Sequence, residues 1–337
     1  MNILLTGGAG YIGSHVGVAL ASKGHKIVIY DNLSNSTEKA VNSICNIANL
    51  AIPLVIGDVL DEEFLYETLK KYEVQAIMHF AGLKSVSESH SDPMAYYKNN
   101  CIGTHHVCSA MRRAGVLKLV FSSSATVYGP AINLPIDEDH SCNPQSPYGK
   151  TKHYAENFLN DLAVSDSRLS IVALRYFNPV GAHSSYQIGE SPLGPPNNLM
   201  PNLVRVAAGE IPFLYVFGNN YGTPDGTALR DYIHVEDLAD GHTKALDHAI
   251  KTTGFQVFNL GTGKPYSVLQ IIDEFEAVNH QRVNLIFTDR RAGDIDVYYA
   301  NPVRAHNVLG WRAQRGLREM CQSAWQYYVA GGQVRMP

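Results

Sequence analysis

The chain has 337 residues, 45% of them apolar, enough to bury a substantial core in one large α/β unit or, the reading preferred here, in two lobes. A formal net charge of −4 with no basic block excludes nucleic acid or an anionic membrane as the working partner, and leaves room for a small anionic ligand held by a few arginines. No stretch approaches ~18 uninterrupted apolar residues, and the first residues carry no basic and apolar leader pattern, so a soluble, cytoplasmic protein is expected.

The first predicted strand, residues 2–6, runs into Gly7-Gly8-Ala9-Gly10-Tyr11-Ile12-Gly13, which satisfies both G-x-x-G-x-x-G and G-x-G-x-x-G. Ile12, Val16 and Leu20 then recur every four residues, the mark of a helix packing on a sheet. A glycine loop between strand and helix lets backbone N–H groups and the helix dipole approach a pyrophosphate. The second strand, 26–31, ends on Asp31, whose carboxylate suits adenosine ribose hydroxyls and repels a 2′-phosphate, so NAD is favoured over NADP. Asp58, after a strand at 53–57, is placed either to meet the adenine amino group or to cap a helix at 61–72.

Further strands are predicted at 76–81, 117–123 and 170–176, with helices at 93–114 and 148–163. Strands alternating with helices give an α/β class with a Rossmann-type, doubly wound parallel sheet. Beyond Asn178, Pro and Gly cluster at 189–196 and 218–226, which marks a boundary: residues 1–180 as an NAD-binding domain and 181–337 as a smaller C-terminal substrate-binding lobe. Strand-like pieces at 230–235 and 256–260 are expected to return to the first domain. The five cysteines are odd in number with no C-x-x-C spacing, which points to structural thiols. His105, His106 and Cys108 diverge on a helix without a carboxylate at ligand spacing, so no metal site is expected.

Tyr148 and Lys152 stand four residues apart where a helix begins after Ser146-Pro147, an N-cap followed by proline at the first helical position. Positions i and i+4 share a face, so the ammonium can reach toward the phenol. A free phenol ionises near pH ~10, and presenting phenolate near neutrality takes a shift of about three units, roughly 4 kcal/mol. The spacing alone carries little weight: Tyr66 and Lys70 repeat it inside an acidic, solvated helix. Tyr148 differs in following Ser122-Ser123-Ser124 and a dinucleotide loop.

With Ser124-Ala125-Thr126-Val127-Tyr128-Gly129, Pro144-Gln145-Ser146-Pro147-Tyr148-Gly149-Lys150-Thr151-Lys152, Arg175-Tyr176-Phe177-Asn178-Pro179 and Arg230-Asp231-Tyr232-Ile233-His234-Val235 in order, the chain resembles the extended short-chain dehydrogenase/reductases and, among them, the UDP-hexose 4-epimerases. The likeness runs over nearly the full length and includes Pro196-Asn197-Asn198-Leu199-Met200-Pro201 and Arg291-Ala292-Gly293-Asp294. The resemblance implies NAD contacted by Gly7, Gly10, Tyr11, Ile12, Gly13, Asp31, Asn32, Leu33, Ser34, Asn35, Ser36, Asp58, Val59, Phe80, Ala81, Gly82, Leu83, Lys84, Asn99, Ser124, Tyr148, Lys152 and Phe177. It implies a UDP-hexose met by Lys84, Ser124, Ala125, Thr126, Tyr148, Asn178, Asn198, Leu199, Tyr215, Val216, Phe217, Arg230, Arg291, Ala292, Gly293, Asp294 and Tyr298. Forked arginine donors suit a diphosphate, and asparagines read hydroxyls without adding charge.

The activity implied is interconversion of UDP-galactose and UDP-glucose through a transient 4-keto sugar. Tyr148 would remove the 4-hydroxyl proton, Ser124 would pass it, and Lys152 would bind the nicotinamide ribose and depress the phenol pKa. A homodimer is also implied, with the 93–114 and 148–163 helices as contacts. Set against this are a nucleotide-sugar 4,6-dehydratase, which needs an acid pair where this chain has Ser124-Ala125-Thr126, and a non-catalytic NAD-sensing module. Tyr298 is expected to wall the sugar pocket and favour plain hexoses, the alternative being an enzyme for N-acetylated UDP-hexoses.

Overall fold

A computed structural model of the protein describes residues 1–194, 196–291 and 293–331. Strand β1 (Asn2–Thr6) leads through helix α1 (Tyr11–Ser22) to β2 (Lys26–Asp31), α2 (Glu38–Ala48), β3 (Leu54–Ile56), α3 (Glu62–Lys71) and β4 (Ala76–His79). Two short helices, α4 (Val86–Ser91) and α5 (Pro93–Tyr96), and a π-helical stretch at Tyr97–Ile102 precede α6 (Gly103–Ala114), β5 (Lys118–Ser124), α7 (Pro147–Ser165) and β6 (Ser170–Tyr176). Strands β1, β2, β4 and β6 are short and almost wholly buried, and all but β4 are rich in Ile, Val and Leu, the composition of a parallel sheet covered on both faces, while β3 at the sheet edge is only partly buried. The long helix expected over 93–114 is broken by the π-helical stretch. There the Asn100 carbonyl accepts the Thr104 hydroxyl at 2.6 Å, a side-chain bond that competes with regular helix pairing.

The chain then forms β7 (Asn178–Val180), α8 (Leu199–Ala207), β8 (Leu214–Phe217), β9 (Leu229–His234), α9 (Val235–Lys251), β10 (Gly254–Leu260), β11 (Pro265–Ser267), α10 (Val268–Asn279), β12 (Leu285–Thr288), β13 (Val297–Tyr298) and α11 (Leu317–Val329). The main sheet has seven strands in the order β10-β6-β5-β4-β1-β2-β3, all neighbours parallel. The strand order reverses between β1 and β4, which opens a crevice at their carboxyl ends. The 256–260 piece, within β10, joins this sheet beside β6. The 230–235 piece does not: β9 pairs instead with β7, β11 and β13 in a smaller sheet. Its following helix, α9, packs against α1 on one face of the main sheet. On the other face Leu65, Val107, Leu159 and their neighbours bury α3, α6 and α7. A separate apolar cluster, including Leu203, Val216, Phe275 and Met320, holds α8, β8, α10 and α11 together.

Candidate active site

The crevice at the strand reversal widens into a cleft of about 1590 Å³ that runs from the glycine loop to α8, β8 and Arg291. Gly7 adopts a left-handed backbone with φ of 68°, and a Cβ there would stand 2.5 Å from the Ala81 nitrogen. A Cβ at Gly13 would stand 2.5 Å from the Gly7 carbonyl, so α1 can sit on β1 only with glycine there. At Gly10, the N-cap of α1, no side chain caps the helix. The first N–H groups of α1 therefore face the cleft, an arrangement that suits a pyrophosphate. Tyr11 donates from its phenol to the Gly181 carbonyl at 2.7 Å, joining the loop to the second lobe.

Asp31 also borders the cleft, but its carboxylate already has three donors: the N–H groups of Ala9 (3.0 Å) and Leu33 (2.9 Å) and the Ser36 hydroxyl (3.1 Å). Its acceptor capacity is thus partly used in holding the rim of the cleft. Asp58 does not border the cleft. It accepts from Leu60 N–H (2.9 Å) and Asn32 Nδ2 (3.0 Å), while the cap of α3 is Asp61, which accepts from Phe64 N–H at 3.0 Å. Leu33 likewise stands behind the wall. Gly10, Ile12, Asn32, Ser34, Asn35, Val59, Phe80, Gly82, Leu83, Lys84, Asn99 and Phe177 all border the cleft. Asn100, which the sequence reading passed over, pins the 80–84 loop: its side chain accepts from Leu83 N–H (2.9 Å) and donates to the Leu83 carbonyl (3.0 Å) and to Thr151 of α7 (3.1 Å).

At the floor of the cleft, Ser146 caps α7 by accepting from Gly149 N–H at 3.1 Å, with Pro147 in the first turn. Gly149 lets that turn lie against the Ser124–Thr126 corner, since a Cβ there would meet the Thr126 carbonyl at 2.8 Å. Tyr148 is thereby buried beside Ser124, its ring edge-on to Tyr96 at 6.4 Å. Burial pushes the phenol pKa up, and a hydrogen bond from Ser124 pulls it down. Lys152 donates to the Ser122 carbonyl at 2.7 Å and lies 4.9 Å from the centre of the Phe121 ring. Burial lowers its ammonium to a pKa of about 8, against upward pulls from Glu156 and Cys101. In this arrangement the Lys152 ammonium is turned to the Ser122 carbonyl, and burial dominates at the Tyr148 phenol.

Across the cleft, Asn178, Asn198, Leu199, Tyr215, Val216, Phe217, Arg230, Arg291 and Asp294 converge from the second lobe. Arg230 pairs with Asp294 at 3.1 Å, and the Arg291 guanidinium lies 3.9 Å from the centre of the Phe217 ring. Glu190, absent from the sequence reading, accepts from Lys84 (3.2 Å) and Asn198 (2.6 Å) and so ties the two sides. Tyr298 stands one layer back from the surface it was expected to form. Its phenol donates to the Ala125 carbonyl at 2.7 Å, and its ring lies 5.7 Å from that of Phe177, in an apolar cluster with Val127 and Ile136. Ala125 and Gly293 also fall outside the cleft lining, and Ala292 lies outside the described residues. His105 packs on Phe158 while His106 turns to the Leu60 carbonyl; among the described residues no group of three or more His, Cys, Asp or Glu side chains could hold a metal ion.

The chain matches the GDP-mannose 4,6 dehydratase family over residues 4–324. It is 50% identical over 97% of its length to UDP-glucose 4-epimerase of Bacillus subtilis, covering 96% of that protein. Its fold superposes with a TM-score of 0.96 on UDP-glucose-4-epimerase of Stenotrophomonas maltophila, solved with bound NAD and formylated UDP-arabinopyranose, at 45% identity and 98% coverage of both chains. A second solved relative, UDP-glucose 4-epimerase of Bifidobacterium longum in complex with NAD+ and UDP, gives 0.95 at 41% identity, again covering 98% of each chain.

Proposed function

The chain belongs to the UDP-glucose 4-epimerase family of extended short-chain dehydrogenase/reductases, and we propose on that premise that it interconverts UDP-galactose and UDP-glucose, with NAD as its resident cofactor. The observation that carries this reading is the meeting, in one cleft, of an uncapped glycine-loop helix, a buried Tyr148/Lys152/Ser124 cluster and the Arg230 and Arg291 side chains. NAD, when bound, supplies the acceptor that takes the C4 hydride and gives it back.

The chain's own residues do the rest. Tyr148 accepts the proton of the sugar 4-hydroxyl, and Ser124, beside the phenol, offers its hydroxyl to the oxygen as it becomes the ketone of a 4-keto sugar. Lys152, with an ammonium at a pKa of about 8, holds a positive charge near neutrality beside that exchange. Arg230 and Arg291 grip the diphosphate. With the grip on the nucleotide and not on the hexose, the ketone is free to present its other face. The dehydratase reading, raised by the family's description, lacks support at the reacting centre: Ser124, Ala125 and Thr126 stand where that chemistry needs an acid.

A homodimer through α5, the π-helical stretch, α6 and α7 would cover the apolar side chains exposed along them, Met94, Tyr97, Ile102 and Tyr154 among them. Five free cysteines suit a reducing, cytoplasmic setting, and no helix among the described residues is long and apolar enough to cross a membrane. The test is direct: the purified protein should interconvert the two UDP-sugars with no added cofactor. A steady requirement for external NAD, with NADH accumulating in step with product, would reject epimerisation in favour of net oxidation.

A further inference from the structure

The face of α7 that carries Tyr148 and Lys152 continues one turn beyond Lys152 to Glu156, because each step of four residues returns to nearly the same side of the helix. Glu156 is buried beneath the end of β5. Its Oε1 accepts from the Ser123 hydroxyl and from Arg175 Nε (3.0 Å), and its Oε2 accepts from Arg175 Nη2 at 2.6 Å. The Arg175 and Glu156 side chains are 7% and 3% exposed. An ion pair this deep is no more stabilising than well-packed apolar side chains of the same size, so packing alone does not explain a carboxylate here.

Both ends of the catalytic cluster lean on this brace. Ser123, which Glu156 fixes, lies between Ser122, whose carbonyl receives Lys152, and Ser124, whose hydroxyl sits beside the Tyr148 phenol and holds the Thr126 corner. We propose that Glu156, clamped by Arg175 and Ser123, is a positioning residue that keeps Lys152 charged and aimed while it is shielded from water. This rests on Lys152 belonging to the active site, as proposed above.

The other ionisable groups around Lys152 do not supply that charge balance. His79, on β4, is held neutral by burial with a pKa of about 3, and burial pushes the Cys101 thiol of the π-helical stretch up to about 11. Burial also raises the phenols of Tyr148 on α7 and Tyr176 on β6. Around Glu156 itself stand Arg175, Ser123 and Cys142, whose thiol burial raises. Of the two groups that pull the Lys152 ammonium upward, Glu156 is the larger and the carboxylate.

The experiment compares wild type, Glu156→Gln, Glu156→Asp and the double variant Glu156→Gln/Arg175→Met by two readouts. One is the pH profile of kcat/KM for UDP-galactose. The other, independent of any turnover, is the pH dependence of Lys152 acetylation by acetic anhydride, read by mass spectrometry. Glu156→Gln keeps the shape and removes the charge. It should move the labelling midpoint and the alkaline limb to lower pH by about one unit, so that about tenfold is lost near pH ~8.5 and less than about threefold near pH ~6.5. The double variant should move both the same way, and it removes the unpaired guanidinium that could unfold the single one. Glu156→Asp should leave the midpoint and limb near wild type while turning over more slowly. An unmoved midpoint and limb in either folded charge-removing variant overturns the proposal, as does a shift in Glu156→Asp equal to that in Glu156→Gln. A wild type without epimerase activity would remove the functional reading, and the labelling arm would still decide this one.

Discussion

Helices α3 and α7 carry the same local signature, a tyrosine and a lysine one turn apart, and put it to different ends. On α3, Tyr66 lies under the Arg113 guanidinium at 4.2 Å from its ring centre, and Lys70 is exposed to solvent. On α7, Tyr148 is 9% exposed and Lys152 5%, with Ser124 on the phenol and the Ser122 carbonyl on the ammonium. Four residues of spacing bring the two groups to one face, but only burial changes how readily each gains or loses a proton. The reactive pair is thus a product of what packs around it: the corner at Ser124–Thr126, the close approach at Gly149 and the loop pinned by Asn100.

That contrast can be broken most decisively by removing one oxygen. Tyr148→Phe is expected to lower kcat by at least ~100-fold with little change in UDP-sugar affinity, since the hydroxyl serves proton transfer more than ground-state binding. Separate measurement of kcat and substrate binding checks it, and a near-normal rate would take the proton from Tyr148 altogether.

The lysines sharpen the same point through pH. Burial gives Lys152 a pKa of about 8, so its positive charge is present below that value and lost as pH rises through it. The wild-type kcat/KM should therefore fall above pH about 8, whereas Lys152→Met should be at least ~10-fold slower at neutrality and lack that alkaline limb. Lys70→Met should retain both rate and limb. A limb that persists in Lys152→Met would assign it to another group.

Tyr298→Cys should raise the rate on UDP-GalNAc relative to UDP-galactose. Because the ring supports Ala125 and Phe177 from behind, its loss lets that wall recede and spares the original reaction. Comparing kcat/KM for both substrates in both proteins tests this, and a wild type that handles the two equally well would place the gate elsewhere. The smallest effect is expected on α3: Tyr66→Phe should stay within ~2-fold of wild type, as surface substitutions away from a site do.

Much of the first lobe was legible because its signals are local. β1, β2 and β6 begin and end where runs of Ile, Val and Leu meet turn residues, and the glycine loop announces itself by context as much as by pattern. Helix α2 went unread, although Val41 and Ile44, one turn apart and buried, carried the period that reveals it. What stayed hidden depends on partners distant in sequence. Asn100 matters through Leu83 and Thr151, Glu190 through Lys84, and Glu156 through Arg175, and no window of a dozen residues contains such pairs. The family motif puts Tyr298 near the sugar, whereas its hydrogen bond to Ala125 sets it one layer deeper.

The seventh strand has a consequence for how this protein is made. Until β10 is synthesised, β6 is an open edge, and until α9 exists the face of α1 that it covers is bare. A ribosome must therefore deliver the chain past residue 260 before the cofactor lobe can close, with most of the second lobe's loops already emerging. During that interval the nascent sheet presents a parallel edge rich in apolar side chains, the kind of surface that chaperones bind and that misassociates when they are scarce. Destabilising changes in residues 235–260 should accordingly be felt first as poor yield during synthesis at elevated temperature, and only afterwards as a fault in the finished enzyme.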